Sequence, residues 1–366
     1  MLSLSNEPRR YFGSDAMTDI ASPPTLNVEP QPKGRKLDGG TKVSVVIPCY
    51  NEEDVLGLLY ERLDKAAQSW GVDYEIVLVN DGSKDRTWEM MEEIHQKNPR
   101  WKMVGLARNF GHQIALWTGL SVASGDVIAV LDADLQDPPE ILPQFFQKWT
   151  EGFDVVYAVR QKRKEGIFKK VAYFTFYRVL MMLAEHQIPL DSGDFCVMDA
   201  RVVKAITSSA ESRPFIRGLR AWVGFKQTSL PYERHARAAG EVKYTFTKLV
   251  RLALDGILSS STKPLRLASL LGGIVSVFAF LAGVMTVIQR VYAKWFSAEP
   301  LPGYATIVVG MLFLGGVQLL CIGILGEYIG RIYENVSGRP ISVIAEMRGV
   351  KKRSPSPLAG DRRGEG

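Results

Sequence analysis

Apolar residues follow two different patterns along the chain. Between residues 42 and about 155, short β-branched runs alternate with stretches of helical spacing. Val43-Ser44-Val45-Val46-Ile47 predicts a strand ending at Pro48, and Glu53 to Ala67 sets Val55, Leu58, Leu59, Leu63 and Ala66 on one helical face. Tyr74 to Val79 predicts a second strand, Met103 to Leu106 a third, and Val127 to Leu131 a fourth that runs into Asp132. Gln113 to Val122 reads as a helix, and Asp81 or Ser83 is placed to cap the helix after the second strand. Such alternation predicts right-handed crossovers and a mostly parallel α/β sheet. Ligands bind such sheets beyond the carboxyl ends of the strands. Tyr50-Asn51-Glu52, Asp81, Arg108-Asn109 and Asp132 to Asp134 all collect there.

After residue 155 the alternation fades. Segments near 166–184 and over 244–262 mix Lys and Arg with aromatic and aliphatic residues. Each suits either a soluble core helix or an amphipathic helix lying on a membrane. Leu267 to Gln289 then carries no charge over 23 positions, and Pro300 to Gly326 none over 27. About 20 helical residues cross a hydrocarbon core, so transmembrane helices are predicted at 266–290 and 303–327, joined as a hairpin. Lys263 and Arg266 before the hairpin, with Arg331, Arg339 and Arg348 after it, outnumber Arg290 and Lys294 in the linker. The positive-inside rule therefore puts both chain ends in the cytoplasm. Glycines in the second span permit close helix contact or a homo-oligomer without specifying either. Residues 1–40, rich in Ser, Pro, Gly and charge, read as a disordered arm, and 328–366 as a basic tail.

Composition narrows the function classes. The net charge of +6 is concentrated around Arg160 to Lys170 and in the tail. No nucleic-acid-binding signature accompanies it, so phosphorylated substrates and a membrane surface fit better than DNA or RNA. Cys49, Cys196 and Cys321 are too few and too scattered for a disulfide framework or a zinc site. The N-terminus has no apolar signal-peptide core, which suits a cytoplasmic catalytic domain.

Asp132 and Asp134 occupy alternate positions just past a buried strand. Two carboxylates so close repel unless a cation neutralises them, and Mg²⁺ or Mn²⁺ shared with substrate phosphates is the economical solution. His112 has no partner of ligand type nearby in sequence and reads as a packing or hydrogen-bonding residue.

Four motifs occur in order: Val45-Val46-Ile47-Pro48-Cys49-Tyr50-Asn51-Glu52-Glu53, Asn80-Asp81-Gly82-Ser83, Arg108-Asn109-Phe110-Gly111-His112-Gln113, and Asp132-Ala133-Asp134-Leu135-Gln136-Asp137-Pro138. Together they resemble family 2 inverting glycosyltransferases, in particular the polyisoprenyl-phosphate glycosyltransferases, from about Lys42 to Arg339. The resemblance implies a GT-A, Rossmann-like catalytic domain over 41–243. It assigns Pro48, Tyr50, Glu52 and Asp81 to the nucleotide. Asp132 is implied near sugar and nucleotide, with Asp134 and Gln136 joining it on the metal. Asp194, within Asp191-Ser192-Gly193-Asp194-Phe195, is implied as an active-site carboxylate, either a general base or an orienting group. Arg160, Arg163, Arg234, Arg237 and Lys243 are implied to face phosphates. The implied reaction moves a hexose, best taken as glucose from UDP-glucose, onto undecaprenyl phosphate at the cytoplasmic face of the inner membrane. UDP-4-deoxy-4-formamido-arabinose, UDP-GlcNAc, UDP-galactose and GDP-mannose are alternative donors. A processive synthase fits less well, since only two spans are present and no Gln-x-x-Arg-Trp motif occurs. A catalytically silent membrane scaffold is disfavoured because Asp132, Asp134 and Asp194 are all intact.

Overall fold

The computed structural model describes residues 34–160, 192–209, 211–233, 262–296 and 303–350. The segment near 166–184, nearly all of 244–262, and Arg163, Arg234, Arg237 and Lys243 lie outside the described residues. Of Arg160 only the backbone is described.

The predicted strands appear as β1 (Lys42–Cys49), β2 (Asp73–Asn80), β3 (Trp101–Leu106) and β4 (Val127–Val130). They are followed by β5 (Val155–Arg160), β6 (Ser192–Asp199), β7 (Gln227–Tyr232) and β8 (Ile344–Arg348). All eight join one sheet in the order β7-β5-β6-β4-β1-β2-β3-β8. β6 and β8 pair antiparallel with their neighbours, and the other pairings are parallel. β1 is buried on both faces, which explains why its apolar run is interrupted only by Ser44.

Helices cover both faces. On one lie α1 (Leu56–Gln68), α2 (Thr87–Lys97) and α4 (Leu142–Thr150), whose Leu59, Leu63, Met91, Phe145 and Phe146 pack on Val43, Val45 and Ile47. On the other lie α3 (His112–Val122), α5 (Ala200–Thr207) and α6 (Ile216–Trp222), packed on Val46, Val77 and Val79. A Cβ at Gly119 would sit 2.3 Å from Val46 Cγ1, so the bare glycine lets α3 press against the centre of the sheet.

At the amino ends of the strands Glu75 is buried. Its Oε1 accepts from Ser44 Oγ at 2.6 Å and Ser124 N–H at 2.7 Å, while Oε2 lies 2.5 Å from Lys102 Nζ and 2.7 Å from Lys42 Nζ. Burial alone would raise its pKa, but these bonds together lower it from 4.5 to about 2. A depressed carboxylate pKa stabilises the fold above the unfolded value and loses that contribution as pH falls toward 2. The contribution at neutral pH is about 3 kcal/mol. Glu75→Gln is therefore expected to lower the urea midpoint of the full chain at pH 7, with the gap to the parent closing between pH 4.5 and 2.

Two long helices, α7 (Lys263–Phe296) and α8 (Tyr304–Val336), follow the sheet. Leu265–Ile288 and Val309–Val336 are long and apolar enough to cross a membrane, with mean hydropathies of 2.3 and 2.1 over their most apolar parts, which are not buried. Cys321 Sγ lies 3.7 Å from the Ala268 carbonyl, so the helices touch side by side. The region after 327 differs from the expected tail. Helix α8 continues to Val336, with Glu327 and Arg331 paired along it at 3.4 Å, and β8 then adds to the edge of β3.

Candidate active site

The carboxyl ends of β1, β2 and β4 open onto three linked loops. Asn51 adopts a left-handed conformation (φ 54°), donates its N–H to Ser83 Oγ at 3.0 Å and accepts from Lys84 N–H at 2.9 Å. Glu52 N–H donates to Thr87 Oγ1 at 2.9 Å. These bonds fasten the loop after β1 to the loop after β2. Pro48 lies buried within β1, Tyr50 is exposed and Glu52 half-buried.

Asp81 does not cap α2. It is buried, and its oxygens accept the N–H groups of Phe110 at 2.8 Å and Gly111 at 2.9 Å, just before α3. Gly82 (φ 66°) allows the close approach, since a Cβ there would lie 2.5 Å from the Arg108 carbonyl carbon. Burial raises the Asp81 pKa, against the pull of its two N–H donors.

The third loop starts at Asp132. Asp134 Oδ1 accepts from Gln136 N–H at 3.1 Å across Leu135, a buried residue held at φ 55°. Asp137 is buried and accepts a hydrogen bond from the Tyr232 hydroxyl. Asp132, Asp134 and Gln136 therefore share one tight turn, whose far end is tied to the end of β7.

Two residues missed in the sequence complete the centre. His112 Nε2 lies 3.6 Å from Asp132 Oδ1 and 3.5 Å from Asp194 Oδ2, joining carboxylates from β4 and β6. Arg217 forks onto Asp194, with Nε 2.7 Å from Oδ1 and Nη2 3.0 Å from Oδ2. Gln113 donates to Asp194 Oδ2 at 3.2 Å and accepts from Ile216 N–H at 3.0 Å. The sequence signal for Arg217 was its helical spacing from Arg213 and Arg220 in Arg213-Pro214-Phe215-Ile216-Arg217-Gly218-Leu219-Arg220. That spacing alone does not name a partner.

Electrostatics divide these groups sharply. Burial would raise the Asp194 pKa, but Arg217 and His112 hold it far below the usual carboxylate range. Burial would lower His112, but Asp194 and Asp132 more than reverse this and lift it to about 8. Asp132 rises to about 6, through burial and then the charges of Asp194, Asp137 and Asp134, with His112 opposing.

Among the described residues no three His, Cys, Asp or Glu groups form a ready-made metal site. Asp132 Oδ1 is buried without a hydrogen-bond partner, in a side chain 25% exposed. An orphaned carboxylate oxygen beside Asp134 fits a hard divalent cation that takes its other oxygens from phosphates and water.

An α/β sheet with an acidic turn at its strand ends suits a transferase of phosphorylated donors, and similarity to known proteins shows that the chain belongs to the family 2 glycosyltransferases. Residues 44–207 match Glycosyl transferase family 2 and residues 263–332 match the GtrB C-terminal hairpin. The chain is 44% identical over 311 residues to the uncharacterized glycosyltransferase YkcC of Bacillus subtilis, covering 85% of this chain and 95% of that one. It is 38% identical over 304 residues to the SfII prophage-derived bactoprenol glucosyl transferase of Shigella flexneri, covering 83% and 97%. Among solved structures, glucosyl-3-phosphoglycerate synthase from Mycobacterium tuberculosis with Mn²⁺, UDP and glucosyl-3-phosphoglycerate aligns with a TM-score of 0.45 at 17% identity, over 64% of this chain and 86% of that one.

Proposed function

We propose that the protein transfers glucose from UDP-glucose to undecaprenyl phosphate, with inversion at the anomeric carbon, at the cytoplasmic face of the membrane. One observation carries the choice of a lipid acceptor: the glycosyltransferase site is followed in the same chain by two uncovered apolar helices. The relatives named bactoprenol glucosyl transferase favour the same acceptor and sugar. The excess of Lys and Arg at both ends of the hairpin supports a cytoplasmic site and cytoplasmic termini.

The acceptor is a phosphate monoester, already anionic near neutral pH, so attack on the sugar needs no strong base. Asp194 suits that chemistry. A carboxylate forked by Arg217 and held strongly acidic is a poor proton acceptor, and its task is to orient Arg217, Gln113 and His112. Cationic His112 and Arg217 oppose negative charge that grows on the leaving diphosphate. Asp132, with Asp134 and Gln136, would hold Mg²⁺ or Mn²⁺. The bound ion supplies Lewis-acid neutralisation of the diphosphate. Tyr50, Glu52, Pro48 and Asp81 are proposed to line the nucleotide. Arg160, Arg163, Arg234, Arg237 and Lys243 are proposed to meet phosphates.

A donor panel tests the sugar assignment. With undecaprenyl phosphate and Mn²⁺, UDP-glucose is expected to give the highest kcat/KM among UDP-glucose, UDP-galactose, UDP-GlcNAc, UDP-4-deoxy-4-formamido-arabinose and GDP-mannose. A different preferred donor would replace the glucose assignment.

A further inference from the structure

The end of α8 returns to the catalytic sheet at two places. In the first, Ser212 N–H donates to Asn335 Oδ1 at 3.1 Å and Ser212 Oγ donates to the Glu334 carbonyl at 3.0 Å. Arg213 Nη2 also lies 2.5 Å from Glu334 Oε1. In the second, Ser342 Oγ meets Thr118 Oγ1 at 2.8 Å, Ala107 N–H donates to the Val343 carbonyl at 2.9 Å, and β8 pairs with β3. Gly338, at φ 63°, turns the chain between the two. The wrap thus runs from the loop before α6 to α3, the helix that begins with His112.

The first contact bears on the site through a short path. Ser212 and Arg213 lead directly into α6, which spans seven residues and has no side-chain cap at Phe215. Ile216, Leu219 and Arg220 bury the helix against the sheet, while its first turn is held by Ile216 N–H on Gln113 and Arg217 on Asp194, and the loop that leads into that turn is held by Ser212. The Arg213–Glu334 pair contributes little to this, since its side chains are 57% and 39% exposed. The Ser212 bonds fix backbone as well as side chain: they hold a loop N–H on Asn335 and add a second donor to the Glu334 carbonyl, which Ser337 Oγ also caps at 2.8 Å.

We propose that Ser212 and Asn335 are positioning residues that hold Arg217 in register with Asp194, so that the seating of the apolar hairpin is coupled to the geometry of the transfer site. This rests on the reading of Arg217 and Asp194 as parts of that site. The last turn of a helix that meets the membrane thereby helps align the cation that opposes leaving-group charge.

The test uses the full chain in detergent with undecaprenyl phosphate and UDP-glucose. Asn335→Ala is expected to lower kcat roughly tenfold, the effect of about one lost hydrogen bond, with the donor KM and thermal midpoint unchanged. Asn335→Asp keeps the accepting oxygen and is expected to restore kcat; Ser212→Thr keeps both donors and is expected to stay near the parent. Parental kcat in Asn335→Ala would overturn the coupling. So would an Asn335→Asp variant as slow as Asn335→Ala, or a loss carried by the donor KM. Arg217→Ala, run alongside, separates the two claims. If it is inactive while Asn335→Ala is parental, only the coupling fails. If Arg217→Ala is fully active, the underlying reading of the site fails as well.

Discussion

Replacing Arg217 by alanine is expected to lower kcat/KM for sugar transfer roughly 100- to 1000-fold. The basis is the bidentate pair with Asp194, whose side chain is only 6% exposed. Removing one partner of such a pair strands a buried charge, and the penalty falls on everything the other partner orients. Here those groups are His112 and Gln113. Arg217→Lys is expected to recover only part of the loss, because an ammonium group keeps the charge but cannot fork across two carboxylate oxygens. Initial rates with radiolabelled donor, beside thermal midpoints, check both variants. A loss of activity without a matching loss of fold would place the effect at the site.

Asp132→Asn is the second large effect, and its sign on stability differs. Activity is expected to fall about 100- to 1000-fold, the usual scale for removing one preorganised electrostatic group. Stability is expected to stay level or rise. Asn has the shape of Asp without its charge, and burial of the Asp132 carboxylate, together with the charges of Asp194, Asp137 and Asp134, outweighs the favourable His112. Removing that buried charge favours the folded chain, as happens where an active site holds unfavourable charge for function. The measurement is the pair of transfer rate and thermal midpoint. A midpoint several degrees below the parent would show that Asp132 serves the fold.

The central sheet was legible in the sequence because β1 to β4 are bounded by turn residues and separated by helices with clear periodicity. β5 lies where the alternation of strands and helices fades, β6 opens on Ser192-Gly193-Asp194 with only four apolar residues after it, and β8 is five residues long with both charge signs in it. Such a strand is recognisable only by the β3 edge that it completes. The acidic turn was legible as a motif, and Asp194 by resemblance. His112 was read only as a packing or hydrogen-bonding residue, without its partners, because those come from two other strand ends. Arg217 was missed for a related reason: its pairing with Asp194 spans 23 residues and depends on how α6 lies against β6. Asp81 shows the limit of local reasoning. A carboxylate after a strand resembles a helix cap, but here tertiary packing brings the Phe110 and Gly111 N–H groups closer than those of α2.

The central claim is transfer to a lipid phosphate, and product analysis tests it most directly. Purified full-length protein is incubated with UDP-glucose, undecaprenyl phosphate and Mn²⁺, and the organic phase is examined by mass spectrometry and NMR. The expected result is a glucosyl undecaprenyl phosphate with inverted anomeric configuration, formed in equal amount to the UDP released. UDP release matched only by free glucose, or an intact donor and unmodified lipid with every donor supplied, would contradict it.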